Sequence, residues 1–503
     1  MKSLWRISIL MMLAITLSSA AQAAPLGVKW TYAAEGFYAF DFSVAQDGTV
    51  YLGQWHYVHY GVSPSSGGTF YIPSSTNQLI ALDPTGQFKW RYDGVGFNPV
   101  IRKDGRVLVT GNIGQYNHTG TTVTNLARYI QGINPDGTPW HAFTNGIGCA
   151  LTADDTALIS INANYNDIPS IPNTPSSYGL AKVSFTNASQ TVTNHSSHSF
   201  EIPLIAPDGG IYCAKTKIST PHTITSSGTS FKPFIGMFYA FDRFGALRWK
   251  LTEANVNFSA LAICADGSVC LGASTYQENP ALTTHQLRVI SPDGTVKWTA
   301  SGTGIFTPAV IDRENNLYVG SDKKLISFDP LGGVRWQTDY PDPFIFSPAL
   351  TADGTLYAAQ DDRLYAIHSV NGNVVWSHHI ARVSAPPTIG NDGTVYQLGD
   401  NRTLLAFAGT SPPAHSPWPQ YRHDAQRTGR AQQLGPVNMG QKVDGKFSLT
   451  LLLDPGKTYK VEVSDDLATW TEIGSFSGSI AAQTFLDETS AGKPQRFYRL
   501  VVP

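Results

Sequence analysis

One phrase recurs along this chain, and its recurrence limits the possible folds more than any other feature. A clean copy, TPAVIDRENNLYVGSDKKLISFDPLGGVRW, runs from Thr307 to Trp336, and SPALTADGTLYAAQDDRLYAIHSVNGNVVW follows from Ser347 to Trp376. Each copy holds two short alternating runs joined by a turn, a spacer, a third run, another Gly turn and a run ending in Trp. Runs of four to seven residues at period two, broken by Asp-Gly or Asn-Gly, are hairpin signals. First-hairpin turns fall at Asp47-Gly48, Asp104-Gly105, Asp154-Asp155, Asp208-Gly209, Asp266-Gly267, Asn315-Asn316, Asp353-Gly354 and Asp392-Gly393. Closing tryptophans are Trp30, Trp90, Trp140, Trp249, Trp298, Trp336 and Trp376, and the unit around Tyr178–Phe185 has lost its own. The mean spacing is roughly 49 residues per unit, a repeat architecture rather than a set of unrelated domains.

Composition agrees with a turn-rich all-β chain. Only 14% of the 503 residues are charged, while 46 are Gly and 31 Pro, the reverse of what helical bundles require. Hydrophobic residues at 42% and aromatics at 11% exclude disorder. A net charge of −2 offers no basic field for nucleic acid or anionic lipid.

Four antiparallel strands per unit is the content of a propeller blade. The ends do not match, which is informative. Gly27-Val28-Lys29-Trp30 is a fourth strand with nothing before it, and the last unit, Pro386–Gly409, has three strands and no Trp. Pairing the first with the last closes a ring and removes its exposed edges. The expected fold is therefore an eight-bladed β-propeller whose N-terminal strand completes the final blade.

The flanks have their own readings. Lys2 and Arg6, the apolar run Ile7–Leu17 and the Ala21-Gln22-Ala23 site read as a signal peptide over residues 1–23. With no cysteine at the cleavage point, the mature chain is expected to be exported without a lipid anchor, periplasmic or extracellular. Residues 24–431 form the propeller, 432–438 a linker, and 439–503 a small β-sandwich-like module built on KFSLTLLL, YKVEV, TWTEI, TFLDE and RFYRLVV. Four cysteines make no disulfide framework; Cys264 and Cys270 could face each other across a hairpin, while Cys149 and Cys213 sit in core-type runs.

These copies resemble the repeat of pyrroloquinoline-quinone (PQQ)-like propellers, with D-G-T-x-Y, L-x-A-L/F-D and G-x-x-x-W. Trp418–Ala431, WPQYRHDAQRTGRA, is similar to a segment of the non-enzymatic members, and the tail resembles C-terminal fibronectin-like modules of exported bacterial proteins. The enzymatic members are quinone-dependent alcohol dehydrogenases that use PQQ and Ca²⁺ with two adjacent cysteines. No adjacent cysteines, C-x-x-C-H, G-x-S-x-G or H-E-x-x-H occur here. No catalytic residue, metal ligand or cofactor is therefore assigned. The alternative is a dehydrogenase of that kind, or a hydrolase without a known motif, working on the same face.

A binding role points to one cluster, Trp55, His56, Tyr57, His59 and Tyr60 in QWHYVHY, read as part of a connection between strands. Such rings offer stacking area and hydrogen-bonding edges for protein or polymer, glycan included; the competing reading is that they bury one another. The connections between second and third strands are long in units one to five (about 53–77, 112–127, 162–177, 215–236 and 273–286) and short in the rest. They predict a lopsided canopy on one face, and an opposite face of tight turns that binds nothing.

Overall fold

The computed structural model describes residues 27–431 and 437–501, except 59–73, 117–122, 162–178, 184–201, 219–222, 225–229, 232–233, 277–282 and breaks at 35, 145, 154, 401, 410, 444–445, 453–457, 467–468, 478–482 and 494–495. The expected signal peptide lies outside the described residues. Among those described there is no α-helix, and no helix is long and apolar enough to cross a membrane.

Antiparallel sheets follow one another in chain order, each built as inner strand, second, third and outer strand. The first comprises Tyr38–Val44, Val50–Val58, Ser74–Leu82 and Phe88–Asp93. Seven sheets have four strands; the third in order has three described strands, Gly146–Leu151, Ala157–Ile161 and Gly179–Val183. The last sheet is completed from the other end of the chain. Val28–Ala33 lies against Thr403–Phe407, in register Trp30↔Ala406 and Tyr32↔Leu404, as the mismatched ends predict.

Each first hairpin closes on one turn geometry. In the first, Ala45 N donates to Thr49 O, Gly48 N to Ala45 O, and Thr49 N to the Asp47 carboxylate. The aspartate is there for its own backbone, and the next residue must enter the left-handed region, with Gly48 at φ +84°. Asp155 and Asn315 hold that slot at +64° and +62°, residue types that tolerate it. The sixth turn is accordingly centred on Glu314-Asn315, one residue before the position read from sequence.

The tryptophans join neighbouring sheets. Trp90 Nε1 donates to Pro135 O in the next sheet at 2.8 Å, and Trp249, Trp298 and Trp336 repeat this on Pro292, Pro330 and Ser369. Trp30 does the same across the seam, donating to Pro84 O at 2.8 Å and lying on Gly86, where a Cβ would stand 2.6 Å from the indole. Behind it Phe42, Val44 and Leu52 of the first sheet pack with Tyr396, Leu398 and Leu404 of the last in one buried cluster. The ring is closed by packing as well as by strand pairing.

Several second and third strands run further than the sequence indicates. Val50–Val58 pairs with Ser74–Leu82 out to Val58↔Ser74, and Val107–Tyr116 with Val123–Ile133 out to Tyr116↔Val123. The connections therefore begin later: 59–73 in the first sheet and 117–122 in the second. Backbone pairing satisfies donors and acceptors that a loop would leave to water.

The C-terminal segment forms two three-stranded sheets. Val437–Val443, Lys446–Leu452 and Gln483–Asp487 make one; Thr458–Ser464 flanked by Thr471–Ser477 and Phe497–Val501 makes the other. Val437–Val443 takes in the last two residues of the expected linker. The sheets share a core in which Phe476 meets Phe485 edge-on at 5.5 Å beside buried Tyr459 and Val461.

Candidate functional site: a plugged central channel

The aromatic cluster singled out in the sequence sits differently from its expected place. Trp55, His56 and Tyr57 belong to the strand Val50–Val58, not to a connection, because the hairpin continues outward to Val58. Trp55 is half-buried, opposite Tyr38, with ring centroids 5.6 Å apart, and Arg402 lies 4.6 Å over the Tyr38 ring. Tyr38 thus takes up part of the Trp55 surface counted as available to a ligand. His59 and Tyr60 lie outside the described residues.

A second constellation is assembled by the segment after the last sheet. The chain from Pro412 to Ala431 contains no strand, yet it pairs with the turn-side ends of the inner strands. Leu350 N donates to Pro419 O, Ile311 N to Trp418 O, Val44 N to Ala425 O, Ile101 N to Gln426 O, Leu151 N to Thr428 O and Ile205 N to Gly429 O. Gln420 extends the series with its side chain, accepting from Ile389 N at 2.9 Å and donating to Ile389 O at 3.3 Å. Seven inner strands are thereby tied to one segment, which plugs the channel at their turn ends. The turn-side face predicted to be bare carries this plug and a cavity of about 710 Å³ bordered by Asp47, Arg102, Asp104, His423 and Arg430.

Local backbone strain accompanies the plug. Arg422, His423 and Arg427 all adopt positive φ (+55°, +77° and +61°), a conformation that persists only where surroundings enforce it. Asp424 supplies part of that enforcement: its carboxylate accepts from Thr428 N at 2.9 Å and contacts His423 Nδ1 at 3.2 Å. Burial works to raise the Asp424 carboxyl, but these bonds outweigh it and hold it below the usual range.

The inner side of the plug forms the channel floor. Arg427, 1% exposed, donates to Phe42 O at 3.2 Å, Tyr421 O at 3.2 Å and Thr388 Oγ1 at 2.9 Å, and lies 4.8 Å over the Tyr421 ring. Arg422, 6% exposed, donates to Cys149 O at 2.6 Å, while its Nε has no partner among the described residues; nor has Nε1 of fully buried Trp418. Asp41 follows a bulge in its strand between Ala39 and Asp41, borders a cavity shared with Tyr421, and accepts from Phe42 N at 2.8 Å. Burial raises the Asp41 carboxyl above the usual range against the pull of Arg427 and Arg422, and burial likewise lowers Arg427.

Two cavities open above this floor on the side of the long connections. One of about 340 Å³ is bordered by Asp41, Phe97, Phe346 and Tyr421; the other, about 400 Å³, by Leu261, Phe306, Trp418, Tyr421 and Arg422. Tyr421 and Pro308 border both. This donor set does not fit calcium or a quinone held on paired cysteines. The described acid bordering these cavities is Asp41 beside two guanidiniums, and Cys264 and Cys270, 3.8 Å apart, are buried at a hairpin. No group of three His, Cys, Asp or Glu that could hold a metal occurs among the described residues.

The plug residues were legible in sequence only as part of a resemblance. The signal that could have flagged them is Trp418, Tyr421, Arg422 and Arg427 close together in a segment with Pro and Gly but no strand period.

Residues 239–418 match the family model described as outer membrane protein assembly factor BamB. No curated protein matches the chain. Among solved structures, BamB from Moraxella catarrhalis is 10% identical, with 76% of this chain and 99% of that one covered at a TM-score of 0.42. A mitotic checkpoint complex structure is also 10% identical, over 62% and 87%, at 0.41.

Proposed function

We propose that this PQQ-like β-propeller is an exported, non-catalytic interaction scaffold that holds a protein or extracellular polymer against its loop-bearing face. Counting the three-stranded sheet as a full unit gives eight blades, and the paired C-terminal sheets are read as a small β-sandwich that attaches or spaces the ring. The observation that carries the functional reading is the uneven distribution of inserted chain. Between second and third strands the first sheet has 59–73, the third 162–178 and the fourth 219–233, which includes a small hairpin; the last three sheets have only 322–323, 361–362 and 400–402. A ring that needed only to fold would not lengthen one arc of one face, and loops on a rigid scaffold are where binding residues collect. The match to an assembly-factor family over 239–418 agrees with a protein partner.

The test is photo-crosslinking in the native host, with the reactive residue placed within 59–73 or, separately, at Asp104 and Asp353 on the turn side. Adducts of one defined mass are expected from the first set only. Replacing 59–73 by the two-residue Asp-Lys connection of the sixth sheet should remove them while melting stays within a degree or two. Adducts from the turn side alone would put the partner on the wrong face for this reading.

A further inference from the structure

We propose that the channel floor holds the carboxylate of a small apolar acid, seated in the cavity bordered by Phe306, Leu261, Trp418, Tyr421 and Arg422. The argument begins with an imbalance of charge. Arg422 and Arg427 are both almost wholly buried, and among the described residues neither has a carboxylate within ion-pair distance. Buried charges are ordinarily paired, because an isolated one has lost its hydration without recompense. Asp41 acts on both guanidiniums and Asp424 acts on Arg427, but the Asp424 carboxylate is already taken up by His423 Nδ1 and Thr428 N, so Arg422, with Asp41 alone, is the less compensated cation of the floor.

Hydrogen bonding points to the same wall. Among the described residues Arg422 Nε and Trp418 Nε1 are donors without acceptors, and both residues border the 400 Å³ cavity. Native structures leave few such groups unsatisfied, and each calls for an explanation. Both donor atoms are closed off from the cavity as the side chains stand, so an anion with two acceptor oxygens would satisfy them once Arg422 and Trp418 turn toward it. Around the floor the walls are Leu204, Leu261, Phe306 and Pro308, which suit an aliphatic or aromatic body and disfavour a strongly hydrated one. The ligand class is thus a monocarboxylate with an apolar body, free or as the last residue of a peptide. This site is separate from the loop contacts proposed above and stands or falls without them.

The experiment is calorimetric titration of the full chain with four probes: N-acetyl-phenylalanine, its neutral amide, glucuronate and inorganic phosphate. The first should bind, and the amide, glucuronate and phosphate should each bind at least about tenfold more weakly, since only the first joins charge to an apolar body. Asp41→Asn removes the opposing carboxylate and should tighten N-acetyl-phenylalanine several-fold; Arg422→Met should abolish its binding. Asp41→Asn changes one oxygen to an amide, so the proposal stays testable even if Arg422→Met does not fold. A short peptide ending in phenylalanine, compared with N-acetyl-phenylalanine, tells a chain terminus from a free acid. Equal binding of acid and amide, preference for phosphate or glucuronate, no heat at millimolar acid, or unchanged affinity in Asp41→Asn would each overturn it. Loss of binding on exchanging 59–73 would overturn its independence from the loops.

Discussion

Replacing Arg427 by methionine isolates the buried guanidinium at the channel floor and its longer-range attraction to Asp41. Methionine keeps most of the volume and removes three donors, leaving Phe42 O, Tyr421 O and Thr388 Oγ1 without them. At about 1 kcal/mol for each abandoned acceptor, the bonds account for roughly 3 kcal/mol. The nearby Asp41 loses the stronger of its two counter-charges, which adds about 1 kcal/mol and brings the total at pH 7 to about 4 kcal/mol. The pH dependence separates the two parts. Asp41 is an acid whose folded pKa lies above its unfolded value, so the folded state binds more protons and stability falls as pH rises from about 4 through the raised value. Without Arg427 that pKa rises further, and the variant loses more stability across the interval than the native chain. Urea unfolding followed by tryptophan fluorescence should give a difference that shrinks by about 1 kcal/mol between pH 7 and pH 4. Asp41→Asn in the Arg427→Met background should restore that amount at pH 7 and nothing at pH 4. A difference independent of pH, or no rescue by Asp41→Asn, would refute the reasoning.

Other expectations are simpler to check. Trp30→Ala removes the half-buried indole that joins the last sheet to the first, and should cost about 2 kcal/mol in chemical denaturation. Gly86→Ala should cost a comparable amount, because it places a Cβ against that indole at φ +83°. Adding PQQ with Ca²⁺ should leave the melting temperature unchanged in differential scanning fluorimetry; a rise of several degrees would favour the dehydrogenase alternative. Thiol titration should find no reactive cysteine in the native chain and four after unfolding, whereas two would mean that Cys264 and Cys270 are bridged.

Turn chemistry made much of the ring readable from sequence. Asp-Gly pairs and closing tryptophans mark sheet boundaries because those residues satisfy local needs, a left-handed turn or an indole laid on the next sheet, and local needs leave local traces. The unmatched strand at Trp30 identified the seam for the same reason. The extension of Val50–Val58 past Trp55 left no such trace, since His-Tyr-Val-His-Tyr carries no polar and apolar alternation to mark where pairing stops. The plug was harder still. Its residues bond to seven separate strands, and their partners at Phe42, Cys149 and Thr388 lie far away in the chain, so no window of sequence shows what Arg422 and Arg427 serve.

The pairing of Val28–Ala33 with Thr403–Phe407 has a consequence for synthesis. Early in translation the first strand has no partner, and it stays unpaired until nearly every other sheet has been made. The plug comes later still, after residue 411, and it ties together inner strands formed long before. The ring is therefore completed twice from its C-terminal end, first at its rim and then at its axis. Contacts of such long sequence separation make for slow closure. During that interval the unfinished ring presents free strand edges, the surfaces on which neighbouring chains pair wrongly. A chain released before residue 403 would keep both an open seam and an empty axis, so truncated products should aggregate or be degraded rather than persist as smaller rings.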